Sequence, residues 1–365
     1  MTLESEPSDH KPSVAVVGVI PPPFGGVSVH VLREVELLRT AGFEVDLYEQ
    51  SGKSDPDNSV YPLSKSRLGF FKFLTRVDCD LLHFHFSNHM ASALAGLVLL
   101  LRPTQKYICT IHGEGLVKAW VGGGWWYRKL LKNYLCRADA IISVNPDVAK
   151  FIRETIGVSN TEVAVIPAFL PPSSQELADE NIPLAVAEFI DGRTVIGTHG
   201  WFGFFEDGVH VYGFDMIAKL VALTEQKGLD VVFYTVISGS YDAEHREQIF
   251  RLQEPLKDRW LIIEESFTCA SLFGKSDVFI RPTYTDGDSV SIRECLSLGV
   301  PVIASDAVKR PDQCSIFESR NQESLHAVFL DCFESPEQHD RKAVEFGFDK
   351  DLVAVVRQSL VGGQP

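Results

Sequence analysis

The chain has 365 residues, 45% of them hydrophobic, and a formal net charge of −15 at pH 7. This length is typical of two domains, and the apolar content is sufficient for a sizeable core. The acidic charge argues against nucleic-acid binding as the role of the whole protein, because contacts with phosphates need a basic face.

Cysteine usage and the apolar runs bear on compartment. The seven cysteines are scattered and lack CxxC spacing, which is typical of buried, reduced thiols in a cytoplasmic protein. The first residues, MTLESEPSDHKPS, are polar, so we expect no signal peptide. The longest apolar run, ASALAGLVLLL (91–101), is too short to span a bilayer and predicts a buried helix.

Apolar strands alternate with helices along the N-terminal half. Strands that are uniformly apolar indicate a parallel sheet covered on both faces. We expect an amphipathic helix from about Val27 to Thr40 after the first strand. The predicted strands are 14–20, 43–49, 81–86, 107–112, 138–145 and 163–169.

A second alternating segment follows a proline- and serine-rich stretch at 170–189, which predicts a linker and a lead-in helix. We therefore expect an α/β fold with two doubly wound domains facing across a cleft, the usual place for a ligand. The expected domains are 1–172 and 173–345, with 173–190 as linker, and a C-terminal helix in 346–365 that packs on the first domain. The predicted strands are 194–200, 231–239, 260–266, 277–282 and 301–306, and the predicted helices are 212–226, 243–254, 290–298 and 335–362.

The stretch RPTYTDGDSVSIRECLSLGVPVIASD (281–306) carries the strongest chemical signal. Its DGDS loop is expected at the carboxyl end of a strand and the amino end of a helix, where α/β folds bind ligands and free N–H groups accept phosphates. Gly287 permits close approach of a ligand to the backbone. Gly299 is the expected C-cap, and Pro301 prevents continuation of the helix.

The acids in this stretch have competing interpretations. Glu294 either caps its own helix in a capping box with Ser291, or is free for a ligand if Asp288 or Ser289 is the N-cap. Asp286 and Asp288 form a DGD that is found in divalent-metal sites holding a diphosphate, and also in plain turns.

The stretch resembles the signature of retaining family-4 glycosyltransferases with the GT-B fold, in which an acid, seven intervening residues and a glutamate precede G-x-P-V. Here these are Asp286, Glu294 and Gly299-Val300-Pro301-Val302. Further blocks resemble the family in order along nearly the whole chain: PFGGVSVHVLRE (23–34), TIHGEG (110–115), ADAIISVNPDVAKFI (138–152) and YGFDMIAKLVAL (212–223).

The resemblance implies transfer of a sugar from a nucleotide-diphosphate donor, such as a UDP- or GDP-sugar, to a hydroxyl of a glycan or lipid-linked acceptor, with retained anomeric configuration. No metal and no cofactor are expected. Glu294 would bind the ribose hydroxyls, since a carboxylate accepts two hydrogen bonds from a vicinal diol. Asp286 would face the donor sugar. Backbone N–H groups around the sugar and phosphate would come from Gly287, Asp288, Ser289 and Val290.

In the first domain, the resemblance makes His112 a residue that hydrogen-bonds the donor sugar. Gly25 and Gly26 would approach the diphosphate and the acceptor, or simply form a tight turn. The loop lacks GxGxxG spacing, so a dinucleotide fingerprint is not supported. His83 and His85 share a strand face, a spacing open to metal, but without a nearby Cys or Asp ligand pattern we favour a structural role. His89 follows them.

The second domain departs from the family, because the usual arginine and lysine that neutralise the leaving diphosphate are missing from THGWFGFFEDGVHVYGFD (198–215). This loop supplies His199 and His210 instead, and Tyr212 stands where the lysine would. We predict that Arg281, with Lys309 or Arg310, replaces the missing charge. The alternative for Arg281 is a salt bridge at a strand end.

No residue is placed as a covalent nucleophile, so the sequence favours a front-face mechanism in which the leaving phosphate oxygen takes the acceptor's proton.

Segments 66–76 and 115–137 mix aromatic and basic residues, as in a surface that meets acidic lipids. We thus expect a cytoplasmic protein, peripheral at the membrane if its acceptor is lipid-linked. These segments are alternatively amphipathic helices packed on the sheet.

Two further functions stay open at this level. A sugar-nucleotide epimerase has the same two-domain layout and needs no acceptor. A non-catalytic nucleotide-sugar binder would explain the missing arginine and lysine.

Overall fold

The computed structural model describes residues 11–22, 24–86, 89–201, 205–206, 209–237, 243–264, 267–334 and 341–361. The chain divides into two compact units, of which the first comprises 1–21, 27–170 and 347–365, and the second comprises 22–26 and 171–346. The expected GT-B layout of two Rossmann-like parallel-sheet domains is confirmed at the level of each unit.

The first unit contains a seven-stranded parallel sheet with the order β3-β2-β1-β4-β5-β6-β7. Its strands are uniformly apolar at the centre, because both faces are covered. The strands are β1 Ser13–Gly18, β2 Glu44–Glu49, β3 Val60–Pro62, β4 Leu81–Phe84, β5 Lys106–Ile111, β6 Ala140–Ser143 and β7 Glu162–Val165.

Helices cover both faces of this sheet. The alternation of side chains along a strand divides β1 between two cores, with Val14 and Val16 in one and Ala15 and Val17 in the other. The helices are α1 Gly26–Thr40, α2 Arg67–Arg76, α3 His89–Leu99, α4 Gly115–Gly122, α5 Trp125–Arg137 and α6 Pro146–Phe151, which a π-helical turn, Ile152–Ile156, extends.

The second unit contains a six-stranded parallel sheet, β8 Thr194–Gly200, β11 Val231–Ile237, β12 Trp260–Ile263, β13 Val278–Arg281, β14 Val302–Ser305 and β15 Ser315–Phe317, in the order β12-β11-β8-β13-β14-β15. A two-stranded antiparallel ribbon pairs β9 Phe205–Glu206 with β10 Val209–His210. The helices are α7 Leu184–Ile190, α8 Phe214–Gln226, α9 Ala243–Gln253, α10 Ala270–Gly274, α11 Val290–Ser297 and α12 Gln322–Glu334.

The last helix, α13 Phe348–Val361, belongs to the first unit. Leu352, Val355 and Val356 are buried in the same core as Val14 of β1 and Val31 of α1. Lys106 Nζ also donates a 2.6 Å hydrogen bond to the carbonyl of Leu360. Both the apolar face and the main chain of α13 therefore make contacts within the first unit.

Several expected bounds differ from the structure. The tail was expected to be helical over 335–362, but 341–347 is not helical, and 335–340 and 362 lie outside the described residues. The expected strand at 163–169 ends at Val165, where the chain turns toward the linker. Among the described residues, every helix is too short or too polar to cross a lipid bilayer.

Each sheet has a point where the direction of strand order reverses. In the first unit this point lies between β1 and β4, and in the second between β8 and β13. Loops that follow these strands diverge at the carboxyl edge and leave room for a ligand. His85 directly follows β4, whereas His199 and Arg281 lie at the ends of β8 and β13.

We predict that Gly213→Ala destabilises the second unit. Gly213 has a φ of +63°, and an added Cβ would lie 2.4 Å from the carbonyl oxygen of Pro282. A left-handed residue without glycine's freedom costs about 1 to 3 kcal/mol, and the collision adds to it. Urea titration should show a lower free energy of unfolding.

Gly192→Ala is the matched control, since Gly192 has a φ of +68° but no atom within 4 Å of the added Cβ. It should cost about 1 kcal/mol. Equal losses in the two variants would contradict the steric argument for Gly213.

Candidate functional site

Two buried arginines share one carboxylate at the carboxyl edge of the second sheet. Arg281 donates to both oxygens of Asp286, with Nε to Oδ2 at 3.0 Å and Nη2 to Oδ1 at 3.1 Å. Arg310 Nη1 donates to Oδ2 at 2.9 Å. The side chains are 7%, 10% and 2% exposed for Arg281, Asp286 and Arg310 respectively. Bidentate, desolvated contacts of this kind fix the orientation of both guanidinium planes.

Neighbouring groups complete the arginine cluster. Thr283 Oγ1 donates to Asp286 Oδ2 at 3.1 Å and receives Nη2 of Arg310 at 2.8 Å. Arg281 Nη1 donates to the carbonyl of His199 at 3.0 Å, which ties the ends of β8 and β13 together. The guanidinium of Arg281 lies 4.9 Å from the ring centre of Tyr212.

The arginine cluster retains a positive charge. Burial raises the pKa of the Asp286 carboxyl, but Arg281 and Arg310 outweigh this effect and lower the pKa to about 2. Burial likewise opposes the charge on Arg281, yet Asp286 raises its pKa above the usual value. Two guanidinium groups and one carboxylate leave a formal surplus of one positive charge at a buried position. Such a surplus favours an anion.

His199 does not supply the missing cation. Burial, together with the charge of Arg281, lowers the pKa of His199 to about 3, so its ring is neutral at pH 7. His210 is buried, accepts the main-chain N–H of Tyr212 at 3.1 Å and lies 4.4 Å from the ring of Phe214. His199 therefore adds no positive charge beside Arg281, and His210 supports the local packing.

Arg310, rather than Lys309, reaches Asp286. Arg310 is buried and also donates Nε to the carbonyl of Ser305 at 3.0 Å, whereas Lys309 is exposed. The salt bridge expected as the alternative role of Arg281 is present. A salt bridge does not exclude a phosphate role, because a guanidinium has five donors.

The start of helix α11 shows that Glu294 does not cap its own helix. It begins at Val290 with Ser289 at the N-cap, so Ser291 and Glu294 lie inside the helix and do not form a capping box. Glu294 is 6% exposed and lies about one turn into the helix. The first N–H groups of α11 follow the DGDS loop directly, as predicted for an anion site. The C-terminal expectation is confirmed, because Gly299 has a φ of +72° just past the helix.

The DGD tripeptide does not resemble an open metal site. Asp286 is bound by two arginines, and Asp288 accepts Nε of Arg293 at 2.8 and 2.9 Å. An added Cβ at Gly287 would meet no atom within 4 Å, and the same holds at Gly25. The local packing thus does not require glycine at these two positions. Gly26 is the first residue of α1.

In the first unit, His112 belongs to a buried cluster around Glu34 of α1. The carboxylate contacts Nδ1 of His83 at 2.5 Å, Nε2 of His85 at 3.1 Å and Nε2 of His30 at 3.2 Å. His85 Nδ1 in turn lies 2.9 Å from Nε2 of His112. We call these five residues the histidine cluster. Their positions at the ends of β4 and β5 and on α1 lie at the strand-order reversal of this sheet.

Burial controls the charges of the histidine cluster. Burial raises the pKa of Glu34, but the histidines outweigh it, so the pKa is well below its usual range. Burial lowers the pKa of His85 to about 4 and that of His112 well below its usual value. The cluster therefore holds an ionised carboxylate near the neutral rings of His85 and His112. His112 is the partly exposed member.

Two groups in the histidine cluster have ligand atoms close enough for one metal ion: His30, His85 and His112, and Glu34, His83 and His85. Glu34 and His30 were not singled out from the sequence. Their spacing of four residues on α1, beside the buried Val31 and Val35, was the available signal. The side chain of His89 lies outside the described part of the structure.

Comparisons with known proteins bear on the family and on the fold. Residues 24–173 match the model described as Glycosyltransferase Family 4. The predicted family resemblance is confirmed. No curated protein matches the chain in sequence.

Solved structures with the GT-B layout are similar in fold. HepE of Anabaena in complex with UDP and glucose has a TM-score of 0.66 at 12% identity, over 95% of this chain and 100% of that one. Sucrose-phosphate synthase of Thermosynechococcus elongatus has a TM-score of 0.61 at 17% identity, over 96% and 97%. A putative UDP-N-acetylglucosamine 2-epimerase of Listeria monocytogenes has a TM-score of 0.62 at 14% identity, over 96% of both chains.

We predict that the stabilising effect of Asp286 is lost in acid. Its pKa is lowered from 3.8 to about 2 in the folded protein, so its contribution is complete above pH 4 and disappears as the pH falls toward 2. The ionised Asp286 carboxylate contributes about 2 kcal/mol in total to the free energy of unfolding. The difference in free energy of unfolding between the wild type and Asp286→Asn should shrink by about 1 kcal/mol from pH 6 to pH 3 in urea titrations.

Asp288→Asn serves as the control, because it removes the more exposed ion pair with Arg293. Its cost should be about 0 to 1 kcal/mol at pH 6. A pH-independent difference for Asp286→Asn would contradict the assigned role of the arginine cluster.

Proposed function

We propose that the protein is a retaining glycosyltransferase that uses a nucleotide-diphosphate sugar as donor and needs no metal. The observation that carries the proposal is the arginine cluster at the carboxyl edge of the second sheet, with its surplus positive charge beside the start of α11. A diphosphate is the anion that this arrangement fits best, since guanidinium donors and helix N–H groups both bind phosphate oxygens.

The arginine cluster takes the place of the arginine and lysine that family-4 enzymes normally carry. Arg281 and Arg310 stay charged at any physiological pH, and Asp286 holds both in fixed orientations. Preorganised charge of this kind stabilises a leaving diphosphate without reorganisation during the reaction. Lys309 is exposed, so we assign it no part in the cluster.

Glu294 and the DGDS loop supply the remaining donor contacts in this proposal. Glu294 accepts the ribose hydroxyls, and the backbone of Gly287, Asp288 and Ser289 surrounds the phosphate. The open space at Gly287 is consistent with close approach of a ligand.

Asp286 is a poor candidate for a covalent nucleophile. Both of its oxygens accept hydrogen bonds from arginines, and its pKa of about 2 makes it a weak base. A front-face mechanism avoids this difficulty, because the leaving phosphate oxygen itself takes the acceptor's proton. The enzyme then contributes positioning and charge stabilisation. The predicted contact between His112 and the donor sugar is part of this proposal.

A lipid-linked acceptor is supported by the surface of the first unit. Trp125 and Trp126 are 64% and 69% exposed, and Lys129 lies 5.5 Å from the ring of Trp125. A cavity of about 710 Å³ lies among α2, α3 and α5 and is lined by Phe70, Leu94 and Leu97, among others. Exposed tryptophans with lysines are typical of proteins that lie on acidic membranes. Such a protein would be cytoplasmic and peripheral, and would act in glycolipid or polysaccharide assembly.

A sugar-nucleotide epimerase is the second candidate, because a putative epimerase is among the similar folds. The two functions differ in products. A transferase consumes donor in proportion to acceptor, whereas an epimerase releases an epimer or free sugar without acceptor.

We expect purified protein to bind UDP in calorimetry and to turn over one sugar donor from a panel of UDP-, GDP- and ADP-sugars when acceptors are supplied. Arg281→Ala should reduce donor affinity or turnover at least tenfold, since a charge-assisted contact contributes about 1.5 to 3 kcal/mol. Glu294→Gln should weaken nucleotide binding by about tenfold or more for the same reason. Thermal unfolding of each variant checks that it is folded.

Arg259→Ala is the matched control for Arg281→Ala, because Arg259 donates to the carbonyl of Leu229 in the same unit, away from the arginine cluster. It should leave donor affinity unchanged. Normal affinity and turnover in Arg281→Ala would contradict the proposal, as would the failure of every nucleotide or activated sugar to bind.

We also expect the protein to co-sediment with vesicles that contain acidic lipids, and less with neutral vesicles. Trp125→Ser combined with Trp126→Ser should reduce the bound fraction several-fold, because both indoles are large, apolar and exposed on α5. Leu184→Ser, at a residue 75% exposed on the second unit, is the control. Absence of binding to acidic vesicles would contradict the membrane proposal.

A further inference from the structure

An unbroken line of contacts connects the buried carboxylate of Glu34 with His112. Glu34 Oε2 lies 3.1 Å from Nε2 of His85, and Nδ1 of His85 lies 2.9 Å from Nε2 of His112. Glu34 is 0% and His85 1% exposed, so solvent does not compete for these atoms. His85 thus uses a different nitrogen toward each of its two neighbours in the line.

Electrostatics assigns the hydrogens along this line. A carboxylate repels a lone pair, so Nε2 of His85 carries the hydrogen and Nδ1 is an acceptor. The facing atom, Nε2 of His112, must then be the donor. In a neutral ring this leaves Nδ1 of His112 as an acceptor, suited to a hydroxyl group that donates.

The other partners of Glu34 hold the carboxylate in place. Nδ1 of His30 lies 2.7 Å from the carbonyl of Ala168, which can only accept, so this nitrogen is a donor. His83 is fixed on its far side by Thr110, with Nε2 to Oγ1 at 2.8 Å. Glu34 is therefore surrounded by rings whose own orientations are fixed by other contacts.

A metal ion accounts less well for Glu34, His83 and His85, one of the two groups whose ligand atoms lie close together. Ligands of zinc lie about 2.0 to 2.2 Å from the ion and so about 3 Å or more from one another. The 2.5 Å separation of Glu34 Oε1 and His83 Nδ1 is shorter than that and fits a proton between the two atoms.

We propose that Glu34 is a positioning residue that acts through His85 to fix the tautomer of His112, so that Nδ1 of His112 accepts a hydrogen bond from a hydroxyl of the donor sugar. The sugar contact rests on the proposed function, whereas the tautomer does not. The assignment explains why a carboxylate is retained on the buried face of α1, where an apolar residue would pack at lower cost.

The test is ¹⁵N NMR of the histidine rings in the full-length protein, without ligand. The wild type should have Nε2 of His112 protonated and Nδ1 unprotonated at neutral pH. Glu34→Gln replaces one oxygen by an NH₂ donor, which favours the opposite tautomers of His85 and His112. Affinity for UDP-glucose should then fall about tenfold, the effect of one hydrogen bond, with affinity for UDP unchanged.

Thr110→Val is the matched control, because it removes the contact with His83 but lies off the line to His112. It should leave the His112 signals in place. A wild-type His112 protonated at Nδ1 would overturn the proposal, even if Glu34→Gln fails to fold. A stoichiometric metal ion in the purified protein, or equal shifts in the two variants, would also overturn it. If neither UDP nor UDP-glucose binds, the proposed function fails, and the NMR comparison still decides the role of Glu34.

Discussion

An ionised carboxylate in a protein interior needs charged or hydrogen-bonding partners, and Glu34 in the first unit and Asp286 in the second each lie among such partners. Leaving an ionised carboxyl uncompensated in the interior costs several kcal/mol, so the surrounding bases are required by Glu34 and Asp286. In both units the carboxylate lies near the strand-order reversal of a parallel sheet. Backbone from different strands meets there, so side chains distant in sequence converge.

The bases differ in a way that suits different ligands. Guanidinium groups stay charged under all physiological conditions, so the arginine cluster keeps its surplus positive charge and favours phosphate. Burial keeps the rings of His85 and His112 neutral, so they serve as directional hydrogen-bonding groups. Neutral groups with a defined donor and acceptor are suited to sugar hydroxyls, which need orientation more than charge.

The sheets could be predicted because their strands are apolar on both faces, as in β1 and β11, whose burial requires a covered parallel sheet. The short ribbon of β9 and β10 could not be predicted, since two residues per strand carry no periodicity. The expected helix was also wrong over 341–347, because apolar residues there do not indicate a helix. Apolar residues such as Val344 and Phe346 pack against the second core without a helix.

The candidate site was predictable where charge or chain position is distinctive. Arg281 and Arg310 stand out as cations around a strand end and a loop, and the structure joins them through Asp286. Glu34 was hidden, because an acid on an amphipathic helix is normally solvated and only the fold brings it to His83 and His85. The neutral state of the His199 ring could not be predicted, because its pKa depends on burial beside Arg281, which no local pattern reveals.

The placement of α13 has a consequence for biosynthesis. The chain leaves the first unit at residue 170, builds the second, and returns with α13 to fill the core against β1 and α1. During synthesis, the N-terminal segment with β1 and α1 therefore exposes an apolar face until residue 356 has left the ribosome. The second unit can complete its own core before the first does, which reverses the usual order in which domains mature during synthesis.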